Sequence, residues 1–149
     1  MSLKEIVLKN RSYRRFYQDR KVSVKELEEL VDIARNVASG ANRQPLRYKV
    51  VCDASDNEQV FLTLKWAAAL TDWDGPKEGE KPAGYIIICS PVDVQAPRDE
   101  GIAAQTILLS ATEKGLGGCM FASVNIPELN KRLEIPSELS ARLVIAIGY

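Results

Sequence analysis

Two runs, Tyr85–Cys89 and Leu143–Ile147, hold five residues apiece with no charged or amide side chain to offer to water. Short strands of this kind, apolar throughout rather than alternating, belong where both faces of a sheet are covered. Tyr48–Cys52 and Cys119–Ala122 read the same way, which predicts four strands. The chain is therefore expected to fold as a central sheet sandwiched by helices.

The helices are read from the apolar period between these runs. Three Ser-x-x-Glu pairs fit capping boxes, in which the serine accepts an amide bond and the glutamate reaches back. They are Ser2 with Glu5, Ser23 with Glu26, and Ser55 with Glu58. Leu3, Ile6 and Val7 follow the first, and Leu27, Leu30, Val31 and Ala34 follow the second. Val60, Phe61, Leu64, Ala67 and Ala68 follow the third. The longest helix is predicted from Asp99 to Lys114, with Asp99 as its cap, Ile102, Ala103, Ile107 and Leu108 as its stripe, and Gly115 and Gly117 as its stop. A last helix is expected from about Pro127, carrying Leu129 and Leu133. Thr71 to Pro82, rich in Asp, Gly and Pro, reads as a surface loop.

Composition narrows the function classes. A chain of 149 residues suits one domain, 1–149, with a real core. Lys plus Arg and Asp plus Glu both number 20, so no net charge recruits nucleic acid or an anionic membrane. No apolar run approaches the roughly 20 residues of a bilayer span. The amino terminus lacks a signal-peptide pattern, and a cytoplasmic protein is the default reading. Cys52, Cys89 and Cys119 are isolated from one another, which argues against a disulfide framework and a zinc site. Histidine is absent, and with it the usual general base, the commonest metal ligand and every imidazole-based triad.

Two polar stretches carry the chemistry. Arg11-Ser12-Tyr13-Arg14-Arg15-Phe16 gathers three guanidinium groups and a hydroxyl, donors suited to a phosphate. Ser39-Gly40-Ala41-Asn42-Arg43-Gln44-Pro45 offers neutral hydrogen-bonding groups before a strand, with no acid or general base. Together they point to a phosphorylated, flat, polar-edged cofactor. Gly115-Leu116-Gly117-Gly118 closes a helix instead of opening one, so it is not a dinucleotide fingerprint.

With Asp99-Glu100-Gly101-Ile102-Ala103-Ala104-Gln105 and Gly117-Gly118-Cys119, these stretches give the chain a resemblance to the nitroreductase family of flavin mononucleotide (FMN) enzymes. The resemblance covers most of the chain. It implies an α+β fold, a three-layer α/β/α sandwich around a mixed, mainly antiparallel sheet, in an intertwined homodimer. It implies FMN as cofactor, with Arg11, Ser12 and Arg14 at the flavin phosphate and pyrimidine edge. Arg14 is then the group that stabilises reduced flavin, and no side chain is itself catalytic. Ser39, Asn42 and Gln44 are implied to reach the flavin of the partner subunit. Ala122 and Ser123 match positions whose backbone amides lie near N5 and O4. Phe16, Tyr48, Trp66 and Trp73 are candidates for packing or for a pocket wall.

Two departures accompany the resemblance. Asn10 stands where many relatives have another arginine, and the family's carboxy-terminal Lys or Arg falls beyond Tyr149, so an extension is expected to be missing. The implied activity is hydride transfer from NAD(P)H through FMN to a small acceptor, possible examples being nitroaromatics and quinones, by a ping-pong route. The alternatives are a flavin-fragmenting or dehalogenating relative, a noncatalytic flavin- or nucleotide-binding module, and a structural domain without ligand.

Overall fold

The computed structural model describes residues Met1–Tyr149. In chain order the elements are α1 (Leu3–Lys9), α2 (Val24–Ala34), a 3-10 turn (Gly40–Asn42), β1 (Arg47–Val51), α3 (Ala54–Phe61), β2 (Gly84–Pro91), α4 (Pro97–Glu113), β3 (Gly117–Phe121), α5 (Ile126–Arg132) and β4 (Leu139–Gly148). The strands form one sheet in the order β1-β2-β4-β3. Every strand pair is antiparallel. The parallel component is confined to an isolated bridge between Ser12 and Gly118.

Side chains alternate across a strand, so an all-apolar strand feeds two cores at once. Ile86 and Ile88 of β2 and Ile145 and Ile147 of β4 join Leu27, Leu30 and Ile107 on the α2–α4 face. Tyr85, Ile87 and Cys89 of β2 and Val144 and Ala146 of β4 join Val60, Leu129 and Phe121 on the α3–α5 face. Ile86, Ile87, Ile88 and Val144 through Ile147 are all fully buried. At about 1.5–3 kcal/mol per buried large aliphatic side chain, these two strands hold the layers together. No helix is long and apolar enough to cross a membrane.

The first two capping boxes form as predicted, at Ser2–Glu5 and Ser23–Glu26. The third does not. Asp53 caps α3, accepting from the N–H groups of Ser55 and Asp56, and the helix ends at Phe61. The Thr63 hydroxyl donates to the Val60 carbonyl at 2.7 Å, and Leu64 pairs with Val124 in an antiparallel bridge. Trp66 then turns into the core, its ring 4.6 Å from that of Phe121. Tertiary burial therefore overrides the helical spacing of Leu64, Ala67 and Ala68.

The start of α4 also differs from the expectation. Pro97 opens the helix, Ala96 supplies no side-chain cap, and Asp99 is the third helical residue, its carboxylate engaged elsewhere. The other end is as read: Gly115 takes φ +80° just past the helix, and β3 follows. Gly118 lets β3 approach β4, since a Cβ there would lie 2.2 Å from the Ala146 carbonyl oxygen. Asn125 caps α5, accepting from the Glu128 N–H.

Candidate functional site

The arginine segment lies along β3, at one edge of the sheet. Its backbone is held, and two of its three guanidiniums pair with no carboxylate. Tyr13 N–H donates to Gly118 O at 3.0 Å, and the Tyr13 hydroxyl donates to Lys9 O at 2.9 Å. Phe16 N–H donates to Glu80 O at 2.9 Å, and the Phe16 ring is buried. The guanidiniums of Arg11 and Arg14 donate only to nearby backbone carbonyls, Arg11 to Asn10 at 2.7 Å and Val7 at 3.5 Å, and Arg14 to Ser12 at 3.4 Å. Neither joins an ion pair, whereas Arg15 lies 3.9 Å from Glu80 and over the Trp73 ring. Asn10 accepts from the Thr112 hydroxyl at 3.4 Å, which ties this edge to the end of α4.

A cleft of about 680 Å³ opens beside Arg14 and Arg15, with Ser12 to Arg15 on one side and Ala69 to Trp73 on the other. That volume lies in the range of small-molecule sites. Ala122 and Ser123 follow the end of β3 and are exposed. Their carbonyls accept from Val124 and Lys65, both at 3.0 Å, while their own N–H groups donate to no protein acceptor. Burial pushes the Cys119 thiol up to about 11, against a smaller opposing pull from the Arg14 charge. That thiol is therefore protonated at neutral pH. Of the aromatic candidates, Phe16 and Trp66 are buried, Trp73 borders the cleft, and Tyr48 is half-buried near Ser39.

The second polar stretch lies at the opposite edge, before β1. Ser39 donates its hydroxyl proton to Asp99 Oδ2 at 2.5 Å, and Gly40 N–H donates to Asp99 Oδ1 at 3.1 Å. Gln44 N–H donates to Ser39 Oγ at 3.0 Å, and Gln44 Nε2 donates to Asn42 Oδ1 at 2.7 Å. The Asp99 carboxyl is held below its usual range, first by the Ser39 hydroxyl and then by the Gly40 amide. Ala41, Asn42 and Gln44 take φ of 52°, 52° and 50°. Left-handed backbone costs about 1–2 kcal/mol at Ala41 and Gln44 and less at Asn42, a residue type that adopts it readily, so the two costly residues mark a shape that the surroundings impose.

The two stretches do not meet within one chain. Asp99 bonds to the second, Thr112 bonds to Asn10 just ahead of the first, and between them α4 advances about 20 Å at 1.5 Å per residue. Arg11, Ser12, Arg14, Ala122 and Ser123 thus gather along the β3 edge, while Ser39, Asn42 and Gln44 stand at the β1 edge. Asp99 is the residue whose part the sequence reading missed, since its partners lie 60 residues earlier.

Comparison with known proteins places this arrangement in a family. A sequence model of the Nitroreductase family matches residues 7–81 and 94–149, which include both polar stretches and Asp99. The chain is 26% identical to an iodotyrosine deiodinase of Thermotoga neapolitana, over 99% of this chain and 88% of the relative. It superposes on the crystal structure of a nitroreductase family protein of Clostridium difficile with a TM-score of 0.78 and 25% identity, covering 100% of this chain and 84% of the other. A second Clostridium difficile structure, of an FMN-dependent nitroreductase, shares the fold at a TM-score of 0.77 and 22% identity, over 97% and 85% of the two chains. The chain belongs to the nitroreductase family.

Proposed function

We propose that this chain is an FMN-dependent oxidoreductase acting as a homodimer, with each FMN seated where the β3 edge of one copy meets the Ser39–Gln44 loop of the other. It passes hydride from NAD(P)H through the flavin to a small acceptor. The observation that carries the reading is the separation of the two half-sites, neither of which encloses a ligand by itself. The residues present fit the cofactor. Arg11 and Arg14 are uncommitted cations for a phosphate, and the N–H groups of Ala122 and Ser123 are unused donors. The cleft between Ser12–Arg15 and Ala69–Trp73 has room for a ring system.

Bound FMN supplies the hydride chemistry for which this histidine-free chain has no side-chain machinery. The protein's own contribution is electrostatic and geometric. The Arg14 guanidinium stabilises negative charge developing on the pyrimidine edge, an effect that grows where water is excluded. Arg11 and the Ser12 hydroxyl hold the phosphate. Asn42 and Gln44 of the second copy add neutral contacts, and Trp73 walls the cleft.

Gel filtration with absorbance detection tests the assembly: a dimer carrying a flavin band is expected, and a colourless monomer that ignores added FMN would refute the reading. Mixing the loaded dimer with NADH or NADPH in air tests the activity. Oxidation of the donor supports the enzyme, and an inert bound flavin indicates a noncatalytic module. A second reading, reductive dehalogenation on the same flavin, is favoured by the 26% identity to the Thermotoga neapolitana deiodinase. A higher kcat/KM for iodinated aromatics than for nitroaromatics would select it.

A further inference from the structure

Asp99 stands in the first turn of α4, where any acid is favourable to the helix dipole, yet its carboxylate faces the Ser39–Gln44 loop. The contacts form a clamp with a definite order. One carboxylate oxygen takes the Ser39 hydroxyl proton, and the other takes the Gly40 N–H. With its proton so directed, Ser39 Oγ presents a lone pair to the Gln44 N–H and closes the loop on itself. The residues inside this closure include all three of the loop's left-handed non-glycine residues, Ala41, Asn42 and Gln44. Left-handed backbone at Ala and Gln is unfavourable without a hold. Inside the loop the 3-10 turn supplies two backbone bonds, Asn42 N–H to Ser39 O at 2.9 Å and Arg43 N–H to Gly40 O at 3.2 Å, and Asp99 supplies the hold from outside it.

We propose that Asp99 is a positioning residue, whose carboxylate, through Ser39 and Gly40, holds the Gly40–Gln44 loop in the strained shape that presents Asn42 and Gln44 to the ligand of the second copy. This assignment rests on the dimeric FMN reading above. It also changes the part given to Ser39. The hydroxyl donates to Asp99 and accepts from Gln44, so its proton is not available to a ligand, and the residue acts by shaping the loop. Asp99 acts at one remove through the backbone.

The test uses the whole 149-residue chain and two readouts. Amide hydrogen exchange by NMR reports on Gly40 and Gln44, whose N–H groups are the clamp's donors. Titration with FMN, followed by quenching of flavin fluorescence, reports the consequence. Asp99→Asn preserves shape but offers one acceptor oxygen, and Asp99→Glu preserves charge at the helix start with a longer arm. Both are expected to speed exchange at Gly40 and Gln44 by about tenfold or more, and to raise the FMN Kd about tenfold, the effect of losing roughly one hydrogen bond's worth of order. Ser39→Ala should produce the same pair of effects. The Asp99→Asn/Ser39→Ala double variant should add little to either single change, because both break one network.

A merely electrostatic role at the helix start predicts that Asp99→Glu behaves as wild type in both readouts, and that result overturns the proposal. Faster exchange with an unchanged FMN Kd also overturns it, since the loop's shape would then not matter to the ligand. If the wild-type protein takes up no FMN, the proposed function falls, and the clamp is judged by exchange at Gly40 and Gln44 alone.

Discussion

The Arg11–Phe16 segment and the Ser39–Gln44 loop serve one proposed site by opposite means. The first has a relaxed backbone pinned at Tyr13 and Phe16, and it leaves Arg11 and Arg14 without carboxylate partners. The second is neutral in its matched positions, left-handed at three residues and strained at Ala41 and Gln44, and bonded inward through Ser39 and Asp99. In the first, affinity resides in unspent side-chain charge that adds nothing to folding. In the second, order resides in the fold and is imposed by contacts sixty residues away. Substitutions should therefore separate binding from stability at one edge and couple them at the other.

The largest expected effect comes from stripping the charged edge. Arg11→Ala/Arg14→Ala should raise the FMN Kd by at least about a hundredfold, since hydrogen bonds to charged groups are worth about 1.5–3 kcal/mol each. Tm should stay near that of the wild type, because neither guanidinium is paired in the protein. A matching fall in Tm would erase the contrast. Fluorescence titration and thermal melting measure the two sides.

Gly118→Ala attacks the same edge through its backbone. The added Cβ meets the Ala146 carbonyl oxygen, so β3 must shift away from β4. Overpacking of this kind costs about 1–3 kcal/mol, read from denaturant unfolding. Because Tyr13 N–H bonds to Gly118 O, FMN affinity should fall with it. Unchanged stability would mean that the strand junction has more room than the structure shows.

At the strained edge, Ala41→Gly relieves one left-handed residue. Tm should hold or rise slightly, the relief of up to about 1 kcal/mol being offset by the entropy of glycine. FMN should bind several-fold more weakly as the loop loosens. A variant that melts lower would show that the loop is not strained.

The smallest effect is with pH. Asp99 has a folded pKa lowered below its unfolded value, so its stabilisation is present at neutral pH. The contribution is lost as pH falls through the folded value, which lies below the ordinary aspartate value of about 4. Exchange at Gly40, corrected for its intrinsic pH dependence, should stay flat from pH 7 to about pH 5 and rise only under stronger acid. In Asp99→Asn that acid rise should be absent.

Much of the fold was legible because some residues leave one option open. Ile86, Ile87 and Ile88 in succession require a strand covered on both faces, and Ser23 with Glu26 ahead of Leu27 and Leu30 requires a helix start. What failed was local reasoning about residues with distant partners. Leu64, Ala67 and Ala68 keep helical spacing, but Leu64 pairs with Val124 and Trp66 is pulled against Phe121. Asp99 has the look of a cap, and its carboxylate belongs to Ser39. The polar residues of the proposed site are candidates by type and order. Their division between opposite sheet edges could not be read that way, because it depends on β1 and β3 being the outer strands of four.

Helix α4 runs from the neighbourhood of one half-site to that of the other, so in the proposed dimer each polypeptide helps to build both flavin cradles. Two crippled proteins with lesions at opposite ends, one lacking Arg14 and the other lacking Asp99, would then rescue each other when unfolded and refolded together. Every mixed pair would own one cradle assembled wholly from undamaged parts, beside a second that inherits both defects.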